Sequence, residues 1–285
     1  MKRIITLSLL LFVTFAVHAQ VPLYTDSLQQ VTITPYIPQD ATRPTPAIIV
    51  FPGGSYSWLA KRDEGHKVAE WFEQHGVAAF VVTYRVVTPA KYFTGWRIVS
   101  GERLYPKMLN DAKAAIKYVR GNANIYNVNS EQIGTIGFSA GGHLSLLVAE
   151  QCSNDEIYHP NFTAAIYPVV TMSDRKHSHQ RTRRAALGIW KQWDKTMRDS
   201  LSLEKHVPSS MPPTFLLCCK DDRTVDYENT LMMDSALNAT NITHTTIIYD
   251  QGNHGFGGNT EKFTPETSQW QETFLNWMME ISEIK

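Results

Sequence analysis

The stretch from Ile133 to His143 constrains this chain more than any other part of it. A β-branched apolar run leads into residues 137–141, Gly-Phe-Ser-Ala-Gly, and a helix-forming run follows. The pattern predicts a strand, a sharp turn and a helix, with Ser139 at the apex of the turn. Small residues at its two ends let the strand and helix backbones approach closely. Ser139 is therefore a candidate nucleophile, although a glycine-rich turn can also hold a serine that does no chemistry.

Two later strand-like runs end in side chains that could activate a serine. One apolar run ends at the adjacent carboxylates Asp221 and Asp222, and a β-branched run ends in a glycine-rich loop that contains His254. Serine is a weak nucleophile at neutral pH and needs a base, a task that suits histidine. A carboxylate then holds the imidazole in the required tautomer. The sequence predicts Ser139 as nucleophile and His254 as base, with Asp222 favoured over Asp221 as the acid.

An upstream strand-like run, residues 47–51, leads into a Pro-Gly-Gly turn at residues 52–54. Backbone N–H groups aimed at a developing negative charge are often the largest single catalytic contribution, worth roughly 2.7–4 kcal/mol each by mutation. Taken alone, this turn would be an ordinary loop. Beside the predicted triad, it is a candidate for one half of an oxyanion hole, and the amino terminus of the helix that begins at Ala140 is a candidate for the other half.

These motifs, with the order Ser, Asp, His along the chain, resemble the bacterial α/β-hydrolase esterases related to acetyl xylan esterases and feruloyl esterases. That group is akin to the dienelactone hydrolases and to the catalytic domain of prolyl oligopeptidases. The resemblance runs from about residue 29 to the end of the chain and is carried by residues 51–56, 137–143, 221–225 and 252–257. It implies an α/β-hydrolase fold, a mostly parallel doubly wound sheet with helices on both faces and a small cap or loop region.

Matching positions carry the roles of the relatives over to this chain. The resemblance implies Ser139 as nucleophile, His254 as base and Asp222 as acid, because the acid of the relatives stands three residues before a valine, here Val225. No His, Cys or Asp spacing in the chain is typical of a metal site, and neither a metal ion nor a cofactor is expected.

The same resemblance implies oxyanion donors at the backbone N–H groups of Ala140 and of the Gly54–Ser55 segment. Ser55 stands where the relatives usually have a third glycine, so the backbone there must suit a residue with a Cβ. The aromatic side chains of Tyr56, Trp58 and Trp190 are predicted to bind substrate, because aromatic faces stack well on sugars.

Residues 1–19 are predicted to be a signal peptide, with Lys2 and Arg3 preceding an apolar run. The mature chain is expected to begin near Gln20 and to be exported to the periplasm or secreted. The apolar run is too short for a membrane span and no lipobox cysteine follows, so no membrane anchor is expected. Cleavage would remove two of the 27 basic residues and none of the 27 acidic ones. The resulting slight negative charge argues against a nucleic-acid partner.

Strand-like and helix-like runs alternate over residues 20–285, a length that fits one α/β-hydrolase domain. Strands are predicted near 31–37, 47–51, 77–84, 132–137, 162–167, 214–219 and 244–249, and helices near 63–75, 106–121, 140–151, 226–239 and 265–282. Two segments break the alternation, residues 86–105 and residues 171–210, and the second is a possible cap. Both follow predicted strands and should overhang the active-site edge, as an acyl or sugar pocket or as plain surface loops. The 86–105 segment holds an aromatic and basic group, Tyr92, Phe93, Trp96 and Arg97.

The sequence as a whole predicts an exported serine esterase that removes short acyl groups, acetyl first, from a carbohydrate such as decorated xylan. Its partner would be a small acylated substrate, attacked through an acyl-enzyme on Ser139. The alternatives among enzymes are a feruloyl esterase and an aminopeptidase-like serine hydrolase. A carbohydrate-binding or interaction protein on a hydrolase scaffold is the alternative outside enzymes, and the intact triad argues against it.

Overall fold

A single sheet organises the computed structural model of the protein, which describes residues 18–25, 30–87 and 103–283. The strands of these residues lie in the order β1-β2-β4-β3-β5-β6-β7-β8. They are β1 (Val21–Pro22), β2 (Thr32–Tyr36), β3 (Thr45–Phe51), β4 (Ala78–Thr83), β5 (Val128–Phe138), β6 (Thr163–Ile166), β7 (Thr214–Cys219) and β8 (His244–Tyr249). Strand β2 pairs antiparallel with β1 and with β4, and the neighbours from β4 to β8 are all parallel. The predicted mostly parallel sheet is therefore confirmed.

Helices cover both faces of this sheet. The described residues form α1 (Lys67–Gln74), α2 (Lys107–Gly121), α3 (Ala140–Gln151), α4 (Gln180–Lys191), α5 (Lys195–Asp199), α6 (Glu228–Ala239) and α7 (Trp270–Glu283). Helices α1 and α7 pack on one face, and α2, α3 and α6 pack on the other. Side chains of β3 alternate between the two layers, with Ile48 in the first and Ile49 in the second, as the strand repeat of two requires.

The predicted elements differ from the structure mainly in the first turns of helices. The helix predicted near 63–75 opens with a π-helical turn, Arg62–His66, before α1, and the one predicted near 265–282 opens with a 3₁₀ turn, Thr267–Gln269, before α7. Strand β1 has two residues, too few for a pattern to show. The 171–210 segment holds α4 and α5.

Some sequence predictions fall outside the described residues. These are the first 17 residues of the predicted signal peptide and residues 88–102, which include Tyr92, Phe93, Trp96 and Arg97. Among the described residues, no helix is long and apolar enough to cross a bilayer.

The turn between β5 and α3 is packed backbone against backbone. A Cβ on Gly137 would overlap the carbonyl group of Gly141, and a Cβ on Gly141 would overlap the carbonyl group of Phe51 at the end of β3. Helix α3 therefore sits against two central strands at a separation that only glycine permits. This close contact brings the end of β3 and the start of α3 together.

We expect Gly141→Ala to destabilise the protein by about 3 kcal/mol, because the new methyl group must push rigid backbone aside. Gly121→Ala is the matched control, since Gly121 ends α2 with no heavy atom within 4 Å of its missing Cβ. That control should stay within about 1 kcal/mol of wild type, on the stabilising side. Urea unfolding of both variants measures the difference. Equal stabilities of the two variants would show that α3 can move away from the end of β3 at little cost, which would contradict this close packing.

Candidate active site

Ser139, Asp222 and His254 meet in one cleft at the carboxyl edge of the sheet. Each of them follows the end of a parallel strand, β5, β7 and β8 respectively, and such ends share one edge. All three line a cleft of about 870 Å³. The sequence prediction had placed these residues just past strand ends, and the fold brings them together there.

Ser139 has a backbone conformation that non-glycine residues rarely adopt, with φ at 55° and ψ at −116°. Hydrogen bonds hold it from both sides. Its N–H donates to the Ile166 carbonyl of β6 at 2.9 Å, and its own carbonyl accepts from the N–H groups of His143 at 3.1 Å and Val169 at 3.2 Å. Such strain persists only where the surroundings over-determine it, as they do at this turn. The conformation sets the side chain at the tip of the turn, where it lines the cleft.

His254 and Asp222 form a buried hydrogen-bonded pair. His254 Nδ1 lies 2.6 Å from Asp222 Oδ2, and the two side chains are 12% and 1% exposed. The other carboxylate oxygen of Asp222 accepts the backbone N–H groups of Thr224 at 2.7 Å and Val225 at 3.0 Å. With Nδ1–H donated to a carboxylate, the basic lone pair of the imidazole is on Nε2. This is the tautomer needed to take a proton from a serine.

The adjacent acid, Asp221, makes different contacts. Its Oδ1 accepts the backbone N–H groups of Gly252 at 3.0 Å and Asn253 at 2.7 Å, in the loop that carries His254. Asp221 is exposed and has no hydrogen bond to the His254 ring among the described residues. The two neighbouring carboxylates therefore have different partners. Asp222 contacts the imidazole of His254, whereas Asp221 holds the backbone of the loop that carries His254.

The turn after β3, which we call the oxyanion turn after its predicted role, has three successive residues with positive φ. Gly54 has φ at 126°, and Ser55 and Tyr56 both have φ at 56°. Ser55 thus takes a left-handed conformation although it has a Cβ. The Gly53 N–H is already donated to a side chain of the turn before α1. Gly54 and Ser55 line the cleft together with Ser139.

Of the three aromatic residues predicted to bind substrate, only Trp58 lines the cleft, and it is 46% exposed. The prediction for Tyr56 was wrong, because its left-handed backbone turns the side chain into the core, where it is fully buried. Its hydroxyl lies 2.9 Å from His143 Nδ1. Trp190 is exposed on α4 and is not part of the cleft lining.

His143 packs in the core, where it is fully buried. Its Nδ1 faces the Tyr56 hydroxyl and its Nε2 lies 3.0 Å from the Leu201 carbonyl. Burial lowers its pKa to about 4, against the hydrogen bond to Leu201, which raises it. The imidazole of His143 is therefore neutral. It connects α3 by hydrogen bonds to the turn after β3 and to the segment after α5.

Residues 176–181, just before and within the start of α4, form the wall of the cleft that faces the oxyanion turn. His177 Nδ1 lies 2.7 Å from Asp226 Oδ2, and the Arg181 guanidinium lies over the Trp58 ring at 5.4 Å from its centroid. Burial, then the charges of His254 and Arg181, lower the pKa of His179 to about 4. The possible cap thus contributes a polar wall. The described residues hold no cluster of three or more His, Cys, Asp or Glu side chains that could bind a metal ion.

The fold and site together define an α/β hydrolase, with a strained serine turn at the centre of a parallel sheet and a His–Asp pair at the ends of neighbouring strands. Within that class the chain belongs to the BD-FAE family, whose profile matches residues 34–237.

The chain is also similar in sequence to two larger enzymes. The chain is 31% identical over 241 residues to an acetylxylan esterase of Xylanibacter ruminicola, a match that covers 84% of this chain and 46% of that protein. It is 28% identical over 225 residues to endo-1,4-beta-xylanase B of Butyrivibrio fibrisolvens, covering 76% of this chain and 33% of that protein. The chain therefore spans less than half the length of these two relatives.

A solved structure matches over nearly the whole chain. The acetyl ester-xyloside bifunctional hydrolase of Caldicellulosiruptor lactoaceticus superposes with a TM-score of 0.79 at 30% identity, and covers 93% of this chain and 97% of its own. The predicted resemblance to α/β-hydrolase esterases is confirmed.

Proposed function

We propose that the protein is a serine esterase that removes short acyl groups, acetyl first, from a carbohydrate such as decorated xylan. The observation that carries the proposal is the cleft in which Ser139 on its strained turn meets the buried His254–Asp222 pair. The relatives named acetylxylan esterase and xylanase support the choice of acyl group and of sugar.

The proposed reaction proceeds through an acyl-enzyme. His254 Nε2 takes the proton of the Ser139 hydroxyl as its oxygen attacks the ester carbonyl. Asp222 stabilises the imidazolium that forms, and that imidazolium then protonates the departing sugar oxygen. His254 next takes a proton from water, whose oxygen attacks the acyl carbon. The bond between Ser139 Oγ and the acyl carbon then breaks, the imidazolium returns its proton to Oγ, and the carboxylic acid leaves. The two tetrahedral intermediates are stabilised by N–H groups at Ala140 and the Gly54–Ser55 segment.

The cleft walls support a sugar as the alcohol part of the ester. Trp58 offers an exposed aromatic face on one wall, held by the Arg181 guanidinium of the other wall. His177, Ser178 and Gln180 add hydrogen-bonding side chains to that second wall. Sugars are commonly bound in this way, with one face on an aromatic ring and hydroxyl groups on polar side chains.

The direct test is a comparison of substrates, using 4-nitrophenyl acetate, acetylated xylo-oligosaccharides, methyl ferulate and dipeptide amides. We expect turnover of the acetyl esters, and loss of all but a few per cent of kcat/KM in Ser139→Ala with little change in stability, because only one hydroxyl is removed. Preference for the ferulate or for the amides would replace acetyl by another acyl group or by peptide. Absence of turnover on every substrate would favour a binding protein on a hydrolase scaffold.

Two single substitutions separate the adjacent carboxylates. Asp222→Asn should lower kcat by up to roughly 10⁴-fold, as loss of the triad carboxylate did in a serine protease, because the imidazole loses its required tautomer. Asp221→Asn keeps an oxygen acceptor for the loop N–H groups and should stay within about tenfold of wild type. Steady-state kinetics on 4-nitrophenyl acetate give both values. A larger loss in Asp221→Asn would reverse our assignment of the acid.

We also propose that the protein is exported, on the basis of the charged and apolar pattern of residues 1–19. Sequencing the amino terminus of protein purified from its own host should find a chain that begins near Gln20, in the periplasm or the medium. A cytoplasmic chain that begins at Met1 would contradict export and would leave the proposed chemistry untouched.

A further inference from the structure

Glu64 is a buried carboxylate in the lining of the cleft. It belongs to the π-helical turn before α1 and is 4% exposed. Its Oε2 accepts the Gly53 N–H at 2.8 Å, and its Oε1 accepts the Tyr167 hydroxyl at 2.8 Å. Both oxygens thus accept hydrogen bonds, which favours the ionised form, whereas burial raises the pKa of Glu64. A charge this deeply buried is costly to keep unless it serves the fold or the site.

Tyr167 continues this chain of hydrogen bonds to the histidine loop. It follows β6, and its hydroxyl accepts the Gly257 N–H at 3.1 Å. Its ring lies 4.5 Å from the His254 ring, centroid to centroid. On the far side, Trp270 Nε1 donates to the Gly257 carbonyl at 2.9 Å. Glu64 and Tyr167 therefore connect the oxyanion turn to the loop that carries the base.

The glycines around Glu64 make room for its side chain. A Cβ on Gly53 would lie 2.6 Å from Glu64 Oε2, and a Cβ on Gly257 would lie 2.9 Å from Glu64 Cγ. Gly257 also has φ at 47°, a conformation that disfavours other residues. Both turns that Glu64 connects are thus shaped closely around its side chain.

Three charged or titratable groups face Glu64 from other elements besides Tyr167, namely His254, Lys262 and Tyr84. Burial raises the pKa of Glu64, and the charge of His254 is the largest influence that lowers it. Lys262 is partly engaged elsewhere, because its Nζ lies 2.9 Å from the Gly255 carbonyl and 3.5 Å from Asp63 Oδ2.

Two carboxylates belong to the surroundings of His254. Asp222 contacts Nδ1, and Glu64 accepts the hydroxyl of Tyr167, whose ring lies against that of His254. The neighbouring His179 has a pKa held to about 4, so it is neutral at neutral pH. Cationic side chains also line the cleft, namely Lys176, Arg181, Arg223 and Lys262. An imidazolium formed at His254 would therefore interact with the charge of Glu64 as well as with that of Asp222.

We propose that Glu64 is a positioning residue of this site: its carboxylate joins the oxyanion turn to the His254 loop through Tyr167, and its negative charge favours the imidazolium form of His254. This role rests on the esterase function proposed above, because it concerns the same base and the same oxyanion turn.

The first test measures the titration of His254 directly, so that it does not depend on any substrate. Histidine labelled with ¹³C at Cε1 allows NMR titration of wild type, Glu64→Gln and Glu150→Gln. Glu64→Gln keeps the size of the side chain and removes the charge, so the pKa of His254 should fall by roughly 0.5–1 unit. Glu150→Gln controls for replacing a buried glutamate as such: it lies on α3 outside the cleft lining, its pKa is raised by burial to about 8 so that it is mostly protonated at neutral pH, and it should leave that titration unchanged.

The second test is kinetic and uses Tyr167→Phe as well, which keeps the ring and removes the hydroxyl link. Both Glu64→Gln and Tyr167→Phe should lower kcat by roughly tenfold with KM within about threefold. In Glu64→Gln the acid limb of the pH profile of kcat/KM should move to lower pH by as much as the pKa of His254 falls in the NMR titration. Glu150→Gln should keep wild-type kinetics.

An unmoved His254 titration in Glu64→Gln would overturn the electrostatic part of the proposal, whatever the enzyme acts on. Unchanged kcat in a folded Tyr167→Phe would overturn the link between the loops, even if Glu64→Gln failed to fold. If no ester is turned over by wild type, the esterase function fails, while the NMR titration still decides whether Glu64 and His254 are coupled.

Discussion

The close approach of backbones at the Ser139 turn is the constraint on which the rest of the site depends. Gly141 lets the start of α3 rest on the carbonyl end of β3, and hydrogen bonds from two neighbouring segments hold Ser139 in a left-handed conformation. The same contact fixes how far the turn after β3 stands from the first residue of α3. Ser139 and the turn after β3 are therefore placed by main-chain packing.

Much of the fold and most of the triad geometry follow from local patterns. An apolar run that ends shortly before Asp222 and a β-branched run that ends before His254 predict strands, and parallel strands bring such ends to one edge. What the patterns missed depends on contacts between distant segments. Glu64 looks like any polar residue of an amphipathic helix, and only the tertiary structure places it against Gly53 and Tyr167. The prediction that Tyr56 binds substrate was wrong because its side chain is buried in the core, with its hydroxyl against His143. No local pattern shows this contact.

The electrostatics of the cleft combine a few ionised groups with several that stay neutral. His143 and His179 both have a pKa held to about 4, chiefly by burial, so they act as hydrogen-bonding side chains and not as cations. Carboxylates and cationic side chains both line the cleft, with Asp222 and Glu64 on the negative side and Lys176, Arg181, Arg223 and Lys262 on the positive side. Charges of both signs therefore act on the imidazole of His254.

The pairing of β7 with β8 has a further consequence. Cys219 lies opposite Tyr249, and the chain continues three residues to Asp222 and five to His254. A slip of this edge strand by a single residue would exchange the faces of every side chain on it, and would offer the imidazole a different neighbour in place of Asp222. A molecule misaligned in this way could retain its sheet and helices and yet be inert. A measurement of hydrolytic activity would therefore detect a one-residue register shift of β8 that a measurement of secondary-structure content would miss.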